Sequence, residues 1–244
     1  MPTLLLIHGA WCSGRAWDCL LPELDQLGAS YQVIDLPGHG ENRSDRSMWS
    51  VSLADYADAV INAASTIDGQ VVAVGHSMGG MVISTAAAKA PSRFHALIYL
   101  AAFLPKDGER LIFLAGKDKD SQLSQFIKPR LLGGASRLSE DCLDDVLFNG
   151  CSLDNAAQGK SMLQDNPIRP PFSRVRLSPS FEALPKHYIR CLDDRAITPT
   201  HQAWMAGRYE MVSVQEIESD HMAPYSAARQ TAQALVGALQ STMR

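Results

Sequence analysis

Six short runs of apolar and β-branched residues recur along the chain: TLLLI (3–7), YQVID (31–35), QVVAV (70–74), HALIYL (95–100), HYIRCL (187–192) and VSVQEI (212–217). They are nearly continuous rather than alternating, as expected of strands covered on both faces in a parallel sheet. Between them the spacing turns helical. Residues 15–27 end before Gly28, a C-cap residue, and 78–90 stop at Pro91. Residues 53–67 follow Ser52 with Asp55 three positions on, a capping-box-like start, and 224–240 follow the last apolar run. Alternating strand and helix predicts an α/β fold with right-handed crossovers.

Residues 105–185 break this rhythm. They show no clear strand and hold seven of the thirteen prolines, including NPIRPPF (166–172). A connection of that length is too long for a structureless loop, so it reads as an inserted subdomain. Amphipathic pieces such as SEDCLDDVLF (139–148) predict short helices within it. The expected core is therefore 1–104 together with 186–244, interrupted by 105–185.

Composition narrows the function classes. A chain of 244 residues can bury a sizeable core as one domain. Its net charge of −4 leaves no basic excess for nucleic acid or an anionic membrane, and no apolar run is long enough to span a bilayer. The start, MPTLLLIHGAW, lacks a basic leader and a small-residue cleavage site. Five scattered cysteines (Cys12, Cys19, Cys142, Cys151, Cys191) without C-x-x-C spacing fit a reducing cytoplasm, with neither a disulfide framework nor a zinc site. Three short motifs fail on inspection. GHGENR (38–43) has Arg43 where a dinucleotide fingerprint needs glycine, and GKS (159–161) has Asp154 at the first glycine of a phosphate loop. DKDSQ (118–122) offers Leu123 and Pro129 where a calcium loop needs glycine and glutamate. No cofactor or metal is expected.

The stretch VVAVGHSMGGMVIS (71–84) passes from strand to helix through Gly75-His76-Ser77-Met78-Gly79. This is the pattern of a nucleophile elbow, in which small residues flank a serine on a strained turn and a helix N-terminus faces a developing oxyanion. A serine at its ordinary pKa needs a base. In this architecture the base follows the nucleophile, leaving His95, His187, His201 and His221. His95 and His187 sit at or beside strand starts, the wrong end of the sheet, and His201 lies in a predicted helix. His221, in ESDHMAP between the last strand and the last helix, is the candidate base. The orienting carboxylate falls in HYIRCLDDRAITP, where Asp193 and Asp194 stand side by side. Asp220 ranks last, because neighbouring side chains in extended backbone point apart. In LLLIHGAWCSGRAW (4–17), Gly9 allows a close backbone approach, so the Ala10 amide can join that of Met78 in an oxyanion hole, with His8 bracing the loop.

Together His8-Gly9-Ala10-Trp11, the elbow at Ser77, YIRCLDDRAITP and DHMAP resemble the α/β-hydrolase superfamily. Within it they are similar to the branch of plant methylesterases, salicylate-binding esterases and hydroxynitrile lyases with their bacterial relatives. The resemblance spans essentially the whole chain. It implies an α/β-hydrolase fold with about six mainly parallel strands flanked by helices, and a mostly helical cap at 105–185. Its Cys-x-x-Asp-Lys/Arg pattern, here Cys191, Asp194 and Arg195, selects Asp194 as the orienting acid. The expected activity is cofactor-independent hydrolysis of small carboxylic esters, Ser77, Asp194 and His221 being catalytic. Candidate substrate-binding residues are Gly9, Trp11, His76, Phe103, Phe126 and Met222; Phe113, Phe148, Phe172 and Phe181 could also shape an apolar pocket.

Two rivals share the scaffold: a hydroxynitrile lyase, and a ligand receptor that retains the triad. The lyases of this branch carry threonine after the first-loop histidine and lysine after the catalytic histidine; Gly9 and Met222 occupy those positions here. Expected partners are a small ester, neither nucleic acid nor membrane, and at most a second copy in a homodimer.

Overall fold

A computed structural model describes residues 2–42 and 47–242. The chain begins with β1 (Thr3–Ile7), α1 (Leu21–Gln26), β2 (Tyr31–Ile34), α2 (Leu53–Thr66), β3 (Val71–His76), α3 (Gly79–Lys89) and β4 (Ala96–Leu100). A long excursion carries α4 (Leu111–Ala115), β5 (Ile127–Arg130), β6 (Ala135–Leu138), α5 (Leu153–Ser161), β7 (Asn166–Pro167) and α6 (Pro179–Glu182). Then come β8 (Lys186–Cys191), α7 (Pro199–Ala206), β9 (Ser213–Ile217), α8 (Ala223–Ser226) and α9 (Ala228–Thr242).

The six apolar runs become one sheet, in the order β2-β1-β3-β4-β8-β9. Every neighbouring pair in it is parallel. Alternate side chains serve opposite faces. Leu5, Ile7, Ala73, Leu97 and Tyr99 pack with Tyr56, Val60, Met81 and Ile83 of α2 and α3. Leu4, Leu6, Val72, Val74, Ile98 and Leu100 pack with Leu24 of α1 and with Leu235 and Leu239 of α9. Covering both faces explains why the strands read as continuous apolar runs. The register pairs Ile7 with Gly75 and Gly75 with Tyr99, and farther along Cys191 with Ile217. The loops after β1, β3, β8 and β9 therefore leave the sheet at one common edge, where ligand sites of open α/β sheets form.

Local signals are realised where the chain follows its own propensities. The Ser52 side chain accepts from the Asp55 amide and Asp55 reaches back to the Ser52 amide, forming the capping box that opens α2. Residues 38–42 turn into a short 3-10 helix at Gly40–Asn42; Arg43 lies outside the described residues. Two expected helices are divided. The 15–27 stretch forms a 3-10 turn, Gly14–Trp17, and then α1; the last one breaks at Ala227 between α8 and α9.

The insertion departs more from expectation. Besides its helical turns it holds a three-stranded antiparallel sheet, β5-β6-β7, where the sequence pattern predicts no strand. The reason is physical. β5 and β7 are edge strands that contain Pro129 and Pro167, and proline, lacking an N–H, is tolerated at edges only. Such short, proline-bearing strands leave no apolar run to read. Beneath them Leu138, Cys142, Leu143, Val146, Leu147 and Phe148 pack with Met222 and Tyr225 of the core.

Candidate active site

The site begins at the carboxyl end of β3. Ser77 has φ of 54°, a left-handed backbone that costs a non-glycine residue on the order of 1–3 kcal/mol unless its surroundings enforce it. They do. The Ser77 amide donates to Leu100 O at 3.3 Å, and Ser77 O accepts from Gly80 N at 3.2 Å and Phe103 N at 3.0 Å. The flanking glycines are required by space: a Cβ on Gly75 would lie 2.6 Å from Gly79 C, and one on Gly79 2.7 Å from Ile7 O. The turn thus presses strand and helix together and leaves the Ser77 hydroxyl at the N-terminal end of α3, with Met78 as N-cap.

The loop after β9 brings His221 over this turn. Its Nε2 lies 3.0 Å from Ser77 Oγ, and its Nδ1 lies 2.8 Å from Asp194 Oδ2. An ionised carboxylate only accepts, so Nδ1 carries the ring proton and Nε2 presents its lone pair to the serine hydroxyl. Asp194 is itself held. Its Oδ1 accepts from Ala196 N at 2.8 Å and Ile197 N at 2.9 Å, and Gln202 Nε2 on α7 donates to Oδ2 at 3.0 Å. The three predicted residues come together from the ends of β3, β8 and β9, all buried. Asp193 is exposed, and among the described residues only its backbone is engaged, its amide donating to Ser219 O at 3.0 Å and its carbonyl accepting from Asn149 Nδ2 at 3.2 Å.

Asp220 has a different job from orienting the imidazole. One carboxylate oxygen accepts from Met222 N (2.9 Å) and Ser226 Oγ (2.6 Å); the other accepts from Gly150 N of the insertion at 2.8 Å. It ties the histidine loop to the segment above it. Nothing in the sequence marks this, nor the part played by Gln202, whose side chain meets Asp194 only once α7 packs against β8.

The loop after β1 reaches the same place. A Cβ on Gly9 would lie 2.8 Å from Ser77 Cβ, so the loop backbone and the Ser77 side chain are in direct contact there. His8 braces the loop as expected: Leu36 N donates to its Nε2 at 3.1 Å, so Nδ1 is the donor to Gly9 O at 2.8 Å. Among the described residues, neither the Ala10 nor the Met78 amide donates to any protein group. Of the other candidates, Phe103 abuts the elbow through its amide, and Trp11, Phe126 and Met222 join the apolar cluster under the insertion. His76 is instead a support. Fully buried between Trp17 and His221, it donates from Nε2 to His221 O at 2.8 Å. Phe113 and Phe172 are exposed, Phe148 is buried in the insertion, and Phe181 lies in the main core, away from the site. Among the described residues no group of three His, Cys, Asp or Glu is gathered to hold a metal ion.

Burial also sets a pH dependence. Desolvation, the largest cause in each case, pushes His39 and His187 down to about 4, His76 to about 3 and His8 well below its ordinary range. Unfolded imidazoles titrate at ~6.5. Between that value and about 4 the unfolded chain binds more protons than the folded one, so stability rises with pH across this window. It is fully present above ~6.5 and lost below, by at most ~1.4 kcal/mol per pH unit for each histidine. The Asp220 carboxyl, raised by burial, opposes this by one proton at most. The urea midpoint should therefore fall steeply on acidification, and His187→Gln should flatten that slope. A midpoint independent of pH in this range would contradict the assignment.

The model of the alpha/beta hydrolase family matches residues 4–234, and the chain belongs to that family. Among its relatives, polyneuridine aldehyde esterase of Rauvolfia serpentina is 25% identical over 252 residues, covering 95% of this chain and 93% of its own. Salicylic acid-binding protein 2 of Nicotiana tabacum is 26% identical over 235 residues, covering 90% of each. The crystal structure of an Arabidopsis methylesterase superposes with a TM-score of 0.82 at 22% identity, over 98% of this chain and 99% of that one. A pyrethroid hydrolase from Sphingobium faniae superposes with a TM-score of 0.84 at 23% identity, over 97% and 96%. These superpositions establish a shared fold.

Proposed function

We propose that the protein hydrolyses small carboxylic esters through an acyl-enzyme on Ser77, with His221 as general base and acid and Asp194 as its orienting partner. It is a carboxylic-ester hydrolase, as its named relatives are esterases and methylesterases. The observation that carries the residue assignment is the single imidazole bridging Ser77 Oγ at 3.0 Å and Asp194 Oδ2 at 2.8 Å.

The chemistry follows from those positions. Ser77 Oγ attacks the acyl carbon as its proton passes to His221 Nε2, and the carbonyl π pair moves onto oxygen. The resulting oxyanion is met by the Ala10 and Met78 amides, with the positive end of α3 behind it. Collapse expels the alcohol, which takes the proton from His221. Water then attacks the acyl-enzyme, the imidazole again receiving and returning the proton.

The residues at two positions argue against the lyase. Met222, 1% exposed, follows His221 with an apolar side chain, so a departing cyanide would meet no cation at that position. Gly9 lacks the threonine hydroxyl that the lyases carry there, and any Cβ at this position would lie 2.8 Å from Ser77 Cβ. Short-chain nitrophenyl or methyl aryl esters should turn over repeatedly, and mandelonitrile should release negligible cyanide. Cyanide release rivalling ester cleavage would overturn the reading, and failure to exceed one turnover on any ester would favour a receptor.

A further inference from the structure

We propose that Asn166, in the inserted cap, is a positioning residue for the oxyanion hole: by accepting from the Trp11 amide it holds the loop that aims the Ala10 amide. This rests on the reading of Ala10 as an oxyanion donor.

The loop does not hold itself. Trp11 has φ of 59°, a left-handed backbone that a bulky side chain adopts only where neighbours enforce it. The two peptide planes flanking Ala10 are each pinned. His8 Nδ1 donates to Gly9 O, and since that carbonyl shares a plane with the Ala10 N–H, the bond turns the N–H to the opposite side. The next plane is held from the cap: Trp11 N donates to Asn166 Oδ1 at 3.3 Å, the longest bond of the set. The cap adds three more contacts. Gln164 N donates to Trp11 O at 2.8 Å, Gln164 Nε2 to Cys12 O at 3.1 Å, and the Trp11 indole to Ser136 Oγ at 3.1 Å.

Asn166 can occupy this place in one orientation only. It is fully buried, and the Trp11 N–H can only donate, so Oδ1 faces the loop. Nδ2 donates to Pro167 O at 2.8 Å, and Oδ1 also lies 3.1 Å from His39 Nε2, which must therefore carry a proton. Flipping the amide would leave buried donors facing donors. The cap thus does more than cover the site: one wall of the oxyanion hole is braced through it.

The test separates positioning from mere cap stability. Asn166→Ala should lower kcat on nitrophenyl esters by on the order of a hundredfold, with KM within a few-fold, as expected of a displaced transition-state donor. Affinity for a trifluoromethyl ketone, which adds to Ser77 and places an alkoxide in the hole, should fall in proportion to kcat/KM. Affinity for the product acid should not change. Asn166→Leu conserves volume and should give the same pattern should the alanine variant fold poorly. Asn166→Asp keeps an acceptor toward Trp11 and should restore kcat to within about tenfold of wild type. If both Asn166→Ala and Asn166→Leu retain kcat within about twofold, or lose only KM, the proposal falls while the Ser77 reading stands. If the wild type hydrolyses esters yet forms no adduct with the ketone, the underlying reading fails instead.

Discussion

Ser77→Ala is expected to lower kcat by on the order of a millionfold while leaving the fold intact, the scale seen when a triad nucleophile is removed. The substitution deletes one oxygen; alanine inherits the same strained φ and the same backbone bonds. A fluorophosphonate should correspondingly label Ser77 rapidly and no other serine. The comparison with Ser213 makes this discriminating. Its hydroxyl also meets an imidazole, His187 Nδ1 at 2.8 Å. But His187 Nε2 faces the Thr242 hydroxyl at 2.8 Å rather than a carboxylate, and burial lowers its pKa to about 4, so it is a poor base. The pair also sits at the opposite edge of the sheet from the elbow. Mass spectrometry of the labelled peptide and kcat of the variant decide the matter. Ordinary turnover by Ser77→Ala would end the acyl-enzyme hypothesis.

Asp194→Asn should cost about ten-thousandfold in kcat, whereas Asp193→Asn should be nearly silent. The difference lies in which atoms are constrained. The Ala196 and Ile197 amides need an oxygen and would keep the carbonyl of the introduced side chain for themselves. Its NH2 would then face His221 Nδ1 and Gln202 Nε2, both donors in the native site. The imidazole would have to move its proton to Nε2, aiming a donor at Ser77 and abolishing the base role proposed for it. Asp193 has an exposed side chain, so an amide in its place would simply meet solvent. Steady-state kinetics of the two variants, with circular dichroism to verify folding, provide the test. Equal, mild losses from both would remove Asp194 from the mechanism.

Much of this site was legible because its parts are local. The elbow needs a small residue at Gly75 for contact with Gly79 itself and another at Gly79 for the approach of β1 at Ile7, and both fall within one pentapeptide. His8 and Gly9 follow their strand directly, and the Cys191-x-x-Asp194-Arg195 pattern follows another. Strand ends are set by runs of apolar residues, and a parallel sheet brings those ends to one edge. The chain order of strand-end residues therefore already pointed to Ser77, His221 and the Asp193–Asp194 pair as the side chains gathered there.

What the sequence left undetermined depends on contacts between distant segments. Chain order alone could not separate Asp193 from Asp194; the two differ because one carboxylate is turned inward onto the Ala196 and Ile197 amides and Gln202. It could not reveal that Asp220 ties the histidine loop to Gly150, or that Asn166 holds Trp11 from 155 residues away. The cap strands were invisible for a related reason. β5 and β7 carry proline at sheet edges and are stabilised by pairing with β6, not by an apolar run of their own. Apolar periodicity records what a segment does with its own neighbours in sequence. A buried polar bond depends on which distant segment arrives opposite, and that was decided only when cap and core closed over the sheet edge.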